Sequence, residues 1–405
     1  MTWDKVKIGD CCEITSSKRI FFSEYVESGV PFYRSKEIIE SFNGQDISES
    51  LFISQEKYNE IKCNFGVPQP SDMLLTSVGT IGVPYIVKED DYFYFKDGNL
   101  TWFRRFNDKL ISRYLFYWVC STEGQGALNN TTIGSSQKAL TIASLKELEI
   151  PCPPIEIQNR IVQILTGYDD LIENNQKQIK LLEEAAQRLY KEWFVDLRFP
   201  GYENTPIIDG VPQGWNIRTL DTFGEIITGK TPSTTNKSYY DGDIPFVKIP
   251  DMHDTIYPIV TESKLSEEGA STQKNKFIPK DSIMVSCIAT VGLVNIAVKE
   301  CQTNQQINSI ILDDVRNLYY LYFSTKGLKM LLDGVGSNGA TMTNVNKSKF
   351  ANIEILYPSI DLCEQFYDFC KPIFEKILVL SKTTIELKSC RDQLLPKLMS
   401  GELEV

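Results

Sequence analysis

Basic, amide and hydroxyl side chains stand at matching places in the two halves of this sequence, beside strand-like runs. Side chains of these types read base edges and hold phosphates in nucleic acid complexes. The candidates are Arg34, Lys36, Arg104, Arg105, Ser135, Ser136 and Lys138 in the first half, and Lys248, Asn304, Gln305, Gln306, Asn338 and Thr341 in the second. Strand alternation is expected to point Arg104 and Arg105 in opposite directions. The repeated placement predicts two related binding faces.

Residues for catalysis are scarce. The chain has one histidine, His253, which argues against Ser-His, Cys-His and His-liganded metal chemistry. Its ten cysteines include no Cys-x-x-Cys pair and are expected to be reduced thiols. The sequence has no phosphate-binding Gly-x-x-x-x-Gly-Lys-Ser/Thr loop, no Gly-x-Gly-x-x-Gly and no Asn/Asp-Pro-Pro-Tyr/Phe motif. We therefore expect no active site, no metal and no cofactor on this chain.

The composition is that of a globular protein of 405 residues, with 42% apolar and 23% charged residues. The 42 basic and 53 acidic residues give a formal charge of −11, and no segment has a basic excess. Phosphate binding would thus depend on local clusters or on positive charge from partners. The sequence predicts no membrane span and no signal peptide, so we expect a cytoplasmic location.

The second half of the sequence repeats the pattern of the first half. Residues 134–194 align without a gap on residues 339–399, so that Pro153 matches Pro358 and Leu182 matches Leu387. Further upstream, residues 76–82 match residues 286–292. Each half consists of about 150 residues of short strand-like runs followed by a long apolar stripe at helical spacing. The repeat predicts two related domains, each leading into a helix.

The two stripes predict a coiled-coil seam, because their apolar residues mostly alternate steps of four and three. The first helix is expected from about Ile155 to Phe194, and the second after Pro358. Pro372 is expected to kink the second helix, and Pro396 to end or bend its last turn. Asn175 interrupts the first seam. The residues expected to pair the helices are Ile161, Ile164, Tyr168, Leu171, Ile179, Leu182, Leu189, Phe366, Phe369, Ile373, Ile377, Leu380, Leu387 and Leu394.

These elements predict an α/β (α+β) fold: two pseudo-twofold-related domains separated by two long antiparallel coiled-coil helices. The alternative is that each helix pairs with another subunit. The expected bounds are 1–152 for the first domain, 153–198 for the central helix, 199–357 for the second domain and 358–405 for the C-terminal helix.

The sequence resembles the specificity subunit of type I restriction–modification systems along essentially its whole length. Three segments carry the resemblance, and they are Gly229–Pro232 with Tyr239–Phe246, Cys287–Gly292 with Thr303–Asn308, and Leu394–Leu403. The first half departs from the family pattern, since residues 15–19 lack the Gly-x-Thr-Pro sequence and residues 97–100 lack the amide cluster. On this resemblance the DNA-binding candidates also include Lys18, Arg19, Thr76, Ser77, Thr80, Lys230, Thr231, Ser286 and Thr290.

The resemblance implies a non-catalytic subunit in which each target recognition domain reads one half of a split DNA site. It implies double-stranded DNA, two methyltransferase subunits and two restriction subunits as partners. S-adenosylmethionine, ATP and magnesium are expected on those partners and not on this chain. Two alternatives stay open, a regulatory decoy of the same fold and a DNA methyltransferase whose motifs are unrecognised.

Overall fold

The computed structural model describes residues 3–45, 47–48, 50–132, 138–329, 332 and 344–405. The chain forms two compact units. The first consists of Met1–Asn174 and Thr384–Val405, and the second of Asn175–Thr383. Each long helix therefore contributes one part to each unit.

The first unit is built from short strands and helices, and its long helix continues into the second unit. The strands are β1 (Lys5–Lys7), β2 (Glu13–Thr15), β3 (Tyr25–Val26), β4 (Val30–Tyr33), β5 (Leu51–Ile53), β6 (Met73–Thr76), β7 (Pro84–Ile86), β8 (Tyr94–Phe95), β9 (Leu100–Arg104) and β10 (Glu149–Pro151). The helices are α1 (Ser35–Phe42), α2 (Gln55–Asn64), α3 (Ser112–Cys120), α4 (Thr122–Thr131), α5 (Ile142–Glu147) and α6 (Ile155–Tyr190). A π-helical turn, Lys191–Val195, follows α6.

The second unit has the same kinds of element, and its last helix returns to the first unit. The strands are β11 (Ile207–Ile208), β12 (Val211–Pro212), β13 (Asn216–Thr219), β14 (Gly224–Thr228), β15 (Tyr240–Val247), β16 (Ser263–Leu265), β17 (Phe277–Ile278), β18 (Ile283–Ser286), β19 (Val294–Ile296), β20 (Cys301–Thr303), β21 (Ile307–Leu312) and β22 (Glu354–Tyr357). The helices are α7 (Ile249–Met252), α8 (Glu267–Ser271), α9 (Leu318–Gly327), α10 (Lys347–Ala351) and α11 (Ile360–Ser400).

The sheet topology confirms the repeat. The first unit has an antiparallel sheet in the order β2-β9-β6-β7, and the second has β14-β21-β18-β19. A second sheet is β3-β5-β4-β8 in the first unit and β16-β15-β20-β17 in the second. In both, a parallel pair occurs at the matching place, β4 with β8 and β15 with β20. The sheets differ in that the second has the additional edge strand β17, while the counterpart of β3 is the first part of β15.

In the first unit, α6 and the end of α11 pack on the same core. Ile161 and Leu165 of α6 are buried in one apolar cluster with Leu395, Leu398 and Met399 of α11. Early residues of one helix meet late residues of the other, so the two helices run antiparallel here. Polar contacts fix the pair further. Arg391 donates to Asp169 over 2.8 Å, and the same carboxylate accepts a bond from the Tyr117 hydroxyl over 2.6 Å.

In the second unit, the end of α6 packs on the start of α11 around aromatic rings. Ala186 and Phe194 share a buried cluster with Phe366, Phe374 and Ile377. The rings of Phe194 and Phe366 meet edge to face, 5.1 Å apart, an arrangement that stabilises beyond simple burial. Helix α11 continues through Pro372, and it ends at Ser400, so that Pro396 lies in its last turn. Packed residues follow both prolines, which offsets the hydrogen bond that each one removes.

The seam of α6 differs from the sequence expectation by one residue in its first half. Ile164 and Leu171 are 36% and 52% exposed, whereas Leu165 and Ile172 are buried. The seam begins at a polar residue, Gln158, which is fully buried. Its amide donates to the carbonyl oxygens of Lys109 and Pro153 and accepts from Ile111 N–H. A pattern of apolar residues alone cannot show which face of α6 is buried when the first buried residue, Gln158, is polar.

The other residues predicted to pair the helices are buried or half-buried, except for Phe369. Phe369 is 47% exposed because the neighbouring Cys370 takes the inward position. Asn175 is buried, as a polar interruption of the seam would be. Ile161, Phe366, Ile377 and Leu380 are buried, and Tyr168, Ile179, Leu182, Leu189, Ile373, Leu387 and Leu394 are half-buried.

Candidate nucleic-acid interface

Three loops meet at one end of the antiparallel sheet in the first unit. They are the opening loop after β2 (Ser16–Arg19), the turn before β9 (Asp97–Asn99) and the loop after β6 (Ser77–Gly82), and we call them together the first reading edge. Ser77 N–H donates to the Asn99 carbonyl over 2.8 Å, and Gly98 N–H donates to Ser16 Oγ over 3.4 Å. The strand pairing of Thr76 with Leu100 brings the loop ends together.

The second unit repeats this arrangement. Its second reading edge consists of the loop Gly229–Pro232, the turn Asn304–Gln306 and the loop Cys287–Gly292. Cys287 N–H donates to the Gln306 carbonyl over 2.8 Å, matching the bond of Ser77. Lys230 N–H donates to the Thr303 carbonyl over 3.0 Å. The same strand ends thus present loops of different sequence.

Buried hydroxyl groups hold the loops that follow β6 and β18. Val83 N–H donates to Thr76 Oγ1 over 2.9 Å, and Leu293 N–H donates to Ser286 Oγ over 2.8 Å. The Ser77 hydroxyl donates to the Leu75 carbonyl and shares a 2.6 Å hydrogen bond with Thr101. Thr76, Ser77 and Ser286 were expected to contact DNA, but all three are buried, so they position the loop instead.

The tips of these two loops carry an exposed threonine each, Thr80 and Thr290. The backbone before them is left-handed in both units, with φ of 79° at Gly79 and 65° at Ala289. A non-glycine residue in that region is strained. The second unit keeps the same loop shape although the left-handed backbone of Ala289 is strained, and Thr290 occupies the position that matches Thr80.

The two reading edges differ in the side-chain contact that joins the opening loop to the turn. In the first edge, Arg19 Nε donates to the Asp97 carboxylate over 2.9 Å, and the arginine side chain is 69% exposed. In the second edge, the hydroxyl of Thr231 donates to the side-chain oxygen of Gln305 over 2.6 Å, and Gln305 lies one position further along the turn than the counterpart of Asp97. An ion pair and a neutral hydrogen bond offer different groups to a base edge. The two edges therefore present different polar groups to solvent.

The amide residues of the second edge divide into internal and outward groups. Asn304 is buried, and its amide donates to Gln306 over 2.9 Å. Gln305 is exposed, with its amide nitrogen available beside Thr231. The opening loop can lie against this turn because residue 229 is glycine, where a Cβ would be only 2.2 Å from the Thr303 and Asn304 carbonyl oxygens. The first unit has Ser17 at this place.

Several predicted lysines stand at or beside the edges. Lys18 and Lys230 occupy matching positions and are both exposed, and Lys18 Nζ lies 4.1 Å from the centre of the Phe65 ring. Lys138 is exposed next to Ala139, which forms a β-bridge with Val78. Ser135, Ser136, Asn338 and Thr341 lie outside the described residues.

Arg34 and Lys248 are already paired with carboxylates. Arg34 donates to the fully buried Glu37 over 2.6 Å, and Lys248 Nζ lies 2.7 Å from Glu262. Lys36 is half-exposed and 3.8 Å from Glu40. A phosphate would have to replace these partners, so their contribution to binding would be reduced by the pairs already formed.

Arg104 and Arg105 lie at the opposite end of β9 from the first reading edge. Both guanidinium groups contact one carboxylate, that of Glu13, over 2.7 and 3.1 Å. The expectation that they point oppositely is wrong, because Arg105 adopts a left-handed φ of 53°. Arg104 also stacks 4.4 Å over Trp102, which gives it a role in the domain itself. The structure does not bring this pair to the loops that hold the other candidates.

An open groove of 680 Å³ adjoins the first reading edge and was missed by the sequence analysis. Arg19, Asp97 and Lys96 line it together with two exposed aromatic residues, Phe21 and Phe22. Phe22 is 88% exposed. The signal was present in the sequence, as the pair Phe21-Phe22 separated from Lys18-Arg19 by Ile20 alone, but it lies outside the family motifs.

The described residues form no group of three or more His, Cys, Asp or Glu side chains suited to a metal ion. The cysteines are free, and burial raises the pKa of the Cys12 thiol to about 12 and that of Cys287 to about 11. Such thiols stay protonated and are poor nucleophiles. Within the described part of the chain, no helix is long and apolar enough to cross a membrane.

Repeated sheets that present different polar loops, joined to paired helices, define a class of two-domain recognition protein. A family model described as "Type I restriction modification DNA specificity domain" matches residues 1–184 and 212–389. The chain therefore belongs to the type I restriction–modification specificity subunit family.

Individual relatives agree with this assignment. The chain is 37% identical to the type I restriction enzyme HindI specificity subunit of Haemophilus influenzae over 325 residues, 65% of this chain and 71% of the relative. It is 28% identical to the MjaIX specificity subunit of Methanocaldococcus jannaschii, over 100% of this chain and 94% of that one. The crystal structure of a type I S subunit from M. genitalium matches with a TM-score of 0.62 at 16% identity, over 98% of this chain and 96% of that one, which supports the fold.

Proposed function

We propose that this chain is the DNA-reading, non-catalytic subunit of a type I restriction–modification complex. Each of its two domains reads one half of a split DNA site, and the paired helices scaffold the subunits that act on the DNA. The observation that carries the proposal is the matched pair of reading edges. Their loops leave the same strand ends and are held by the same backbone hydrogen bonds, yet they carry different contact groups.

The charge distribution supports a division of work between this chain and its partners. The chain has a formal charge of −11, and Arg34 and Lys248 already pair with carboxylates. Electrostatic attraction to phosphates is normally the main source of affinity for DNA. We infer that much of this attraction comes from two methyltransferase subunits, and that this chain contributes mainly base contacts.

We also assign catalysis to the partner subunits. Methyl transfer and DNA cleavage need S-adenosylmethionine, ATP and magnesium. The sequence of this chain has none of the phosphate-loop, glycine-rich or methyltransferase motifs named above. The exposed apolar residues of the helices, such as Leu181 and Val379, are available for such subunits. The restriction subunits would join the same assembly when cleavage takes place.

The experiment compares DNA methylation by the purified chain, by its methyltransferase subunit and by the two together. The proposal predicts adenine methylation at one split sequence only when both are present. Methylation by this chain alone would contradict the non-catalytic assignment. Methylation of the same split sequence by the methyltransferase alone would contradict the assignment of sequence reading to this chain.

A further inference from the structure

A short turn in the first domain projects an aromatic ring into solvent from a well-anchored backbone. Phe22–Glu24 form a single 3-10 turn, and Phe21 N–H donates to the Glu24 carboxylate over 2.8 Å. Glu24 also pairs with Lys57 of α2, 3.1 Å away. The turn lies between the buried Ile20 and strand β3, so its position is determined by the core. Phe22 is nevertheless 88% exposed.

The second domain contains the same turn with a different side chain. Lys237–Tyr239 form a 3-10 turn that precedes Tyr240, as Phe22–Glu24 precede Tyr25. Tyr25 and Tyr240 correspond because they pair with Ile53 and Leu265, which match in the two sheets. Phe22 therefore corresponds to Lys237, which is also exposed. The fold repeats the turn, while its outward residue changes from aromatic to cationic.

The surroundings of Phe22 are suited to DNA. The groove beside it is lined by Arg19, Arg34 and Lys96, against the single acidic lining residue Asp97. Arg34 is paired with Glu37, which lies behind it in the core. Because Arg19 pairs with Asp97 and Arg34 with Glu37, Lys96 gives the lining a net positive charge in a chain with a formal charge of −11. Asp97 and Arg19 belong to the first reading edge, so the turn is continuous with that edge.

We propose that the turn at Phe22 is a base-reading site of the first domain, in which the ring packs against the methyl group of a thymine. The thymine methyl is the apolar feature that the major groove offers, and a phenylalanine ring is among the side chains that contact it. A phosphate or a polar base edge would lose hydration against the ring without gaining a hydrogen bond. This inference rests on the proposed function, because it assigns one specific contact within the DNA-reading role.

The test uses the full chain in complex with its methyltransferase subunit, on a duplex that carries the split site found by methylation mapping. Each thymine of that site is replaced in turn by uracil, which removes only the methyl group. Binding of the wild-type complex should weaken about four-fold at one thymine of one half-site, the effect of about one buried methyl group. Phe22→Ala should bind the thymine and uracil duplexes equally, and Phe22→Leu should keep part of the difference.

The matched control is Lys237→Ala, which should leave the thymine–uracil difference of the wild type unchanged. Because Phe22 is highly exposed, all three variants should melt at the wild-type temperature. The inference is overturned if Phe22→Ala retains the wild-type uracil response, or if it loses affinity for all sequences equally. If the wild-type complex itself has no sequence preference, the proposed function fails together with the inference. If it has one and the response does not depend on Phe22, only the inference fails.

Discussion

Lengthening both long helices by the same amount should lengthen the gap between the two half-sites. The proposed perturbation duplicates four residues in each helix, 171–174 in α6 and 380–383 in α11. These points are where each helix passes from one compact unit to the other. The duplicated residues include Ile172 and Leu380, which are buried in the present seam.

The magnitude follows from helix geometry. Four residues add about 6 Å at 1.5 Å per residue and about 40° of rotation at 3.6 residues per turn. DNA rises about 3.4 Å per base pair, so the spacer should grow by one or two base pairs. Those base pairs turn the DNA by about 35–70°, close to the rotation of the helices. Coiled coils accommodate a four-residue insertion by local unwinding, so the pair should still form.

The assay is genome-wide mapping of methylated adenines in cells that express each variant with the partner subunits. Both half-site sequences should stay the same, because neither reading edge is altered. Two controls separate length from damage. Four residues added to α6 alone leave the helices mismatched, and two residues added to both rotate each seam by about 200°, so both changes should abolish methylation. If the matched variant folds, assembles and methylates the original spacing, the helices do not set that spacing.

Two further predictions concern single residues. Gln305→Ala should relax the choice at one base of the second half-site, at a cost of about 1–3 kcal/mol in binding free energy, whereas Gln213→Ala, at an exposed glutamine outside both reading edges, should leave binding unchanged. If quantitative binding assays show that Gln305→Ala has the wild-type sequence preference, Gln305 does not read a base. Leu165→Ala should destabilise the first unit by about 2–5 kcal/mol because the side chain is fully buried, whereas Ile164→Ala should cost at most about 1 kcal/mol. Thermal unfolding followed by circular dichroism measures both, and equal shifts in melting temperature would show that the seam register is wrong.

The fold was largely predictable because its strongest signals are periodic or repeated. The apolar stripes predicted α6 from its first residue, Ile155, and the repeat predicted matching sheets. The seam register near Ile164 was not predictable, since both Ile164 and Leu165 are apolar and the seam begins on Gln158. The choice depends on three hydrogen bonds that the Gln158 amide makes with loop backbone atoms, and such contacts leave no pattern in the sequence.

The candidate interface was predictable at the level of loops and less so at the level of side chains. Sequence matching identified the loops after β6 and β18, but not that Thr76 and Ser286 point inward. Arg104 and Arg105 were selected for their charge, although both form ion pairs with Glu13 on the paired strand. Phe22 was missed because an aromatic residue in a loop resembles a core residue until its exposure is known. Burial and cross-strand partners are tertiary properties, and residue type alone does not determine them.

The central claim is that each domain reads its own half-site, and exchange of one domain tests it most directly. Residues 1–150 would be replaced by the matching domain of another specificity subunit with a known target, leaving both helices in place. Methylated adenines would then be mapped across the genome with the same partner subunits. The account predicts that one half-site changes to that of the donor, while the other half-site and the spacer length are retained. Changes in both half-sites, or in neither, would contradict it.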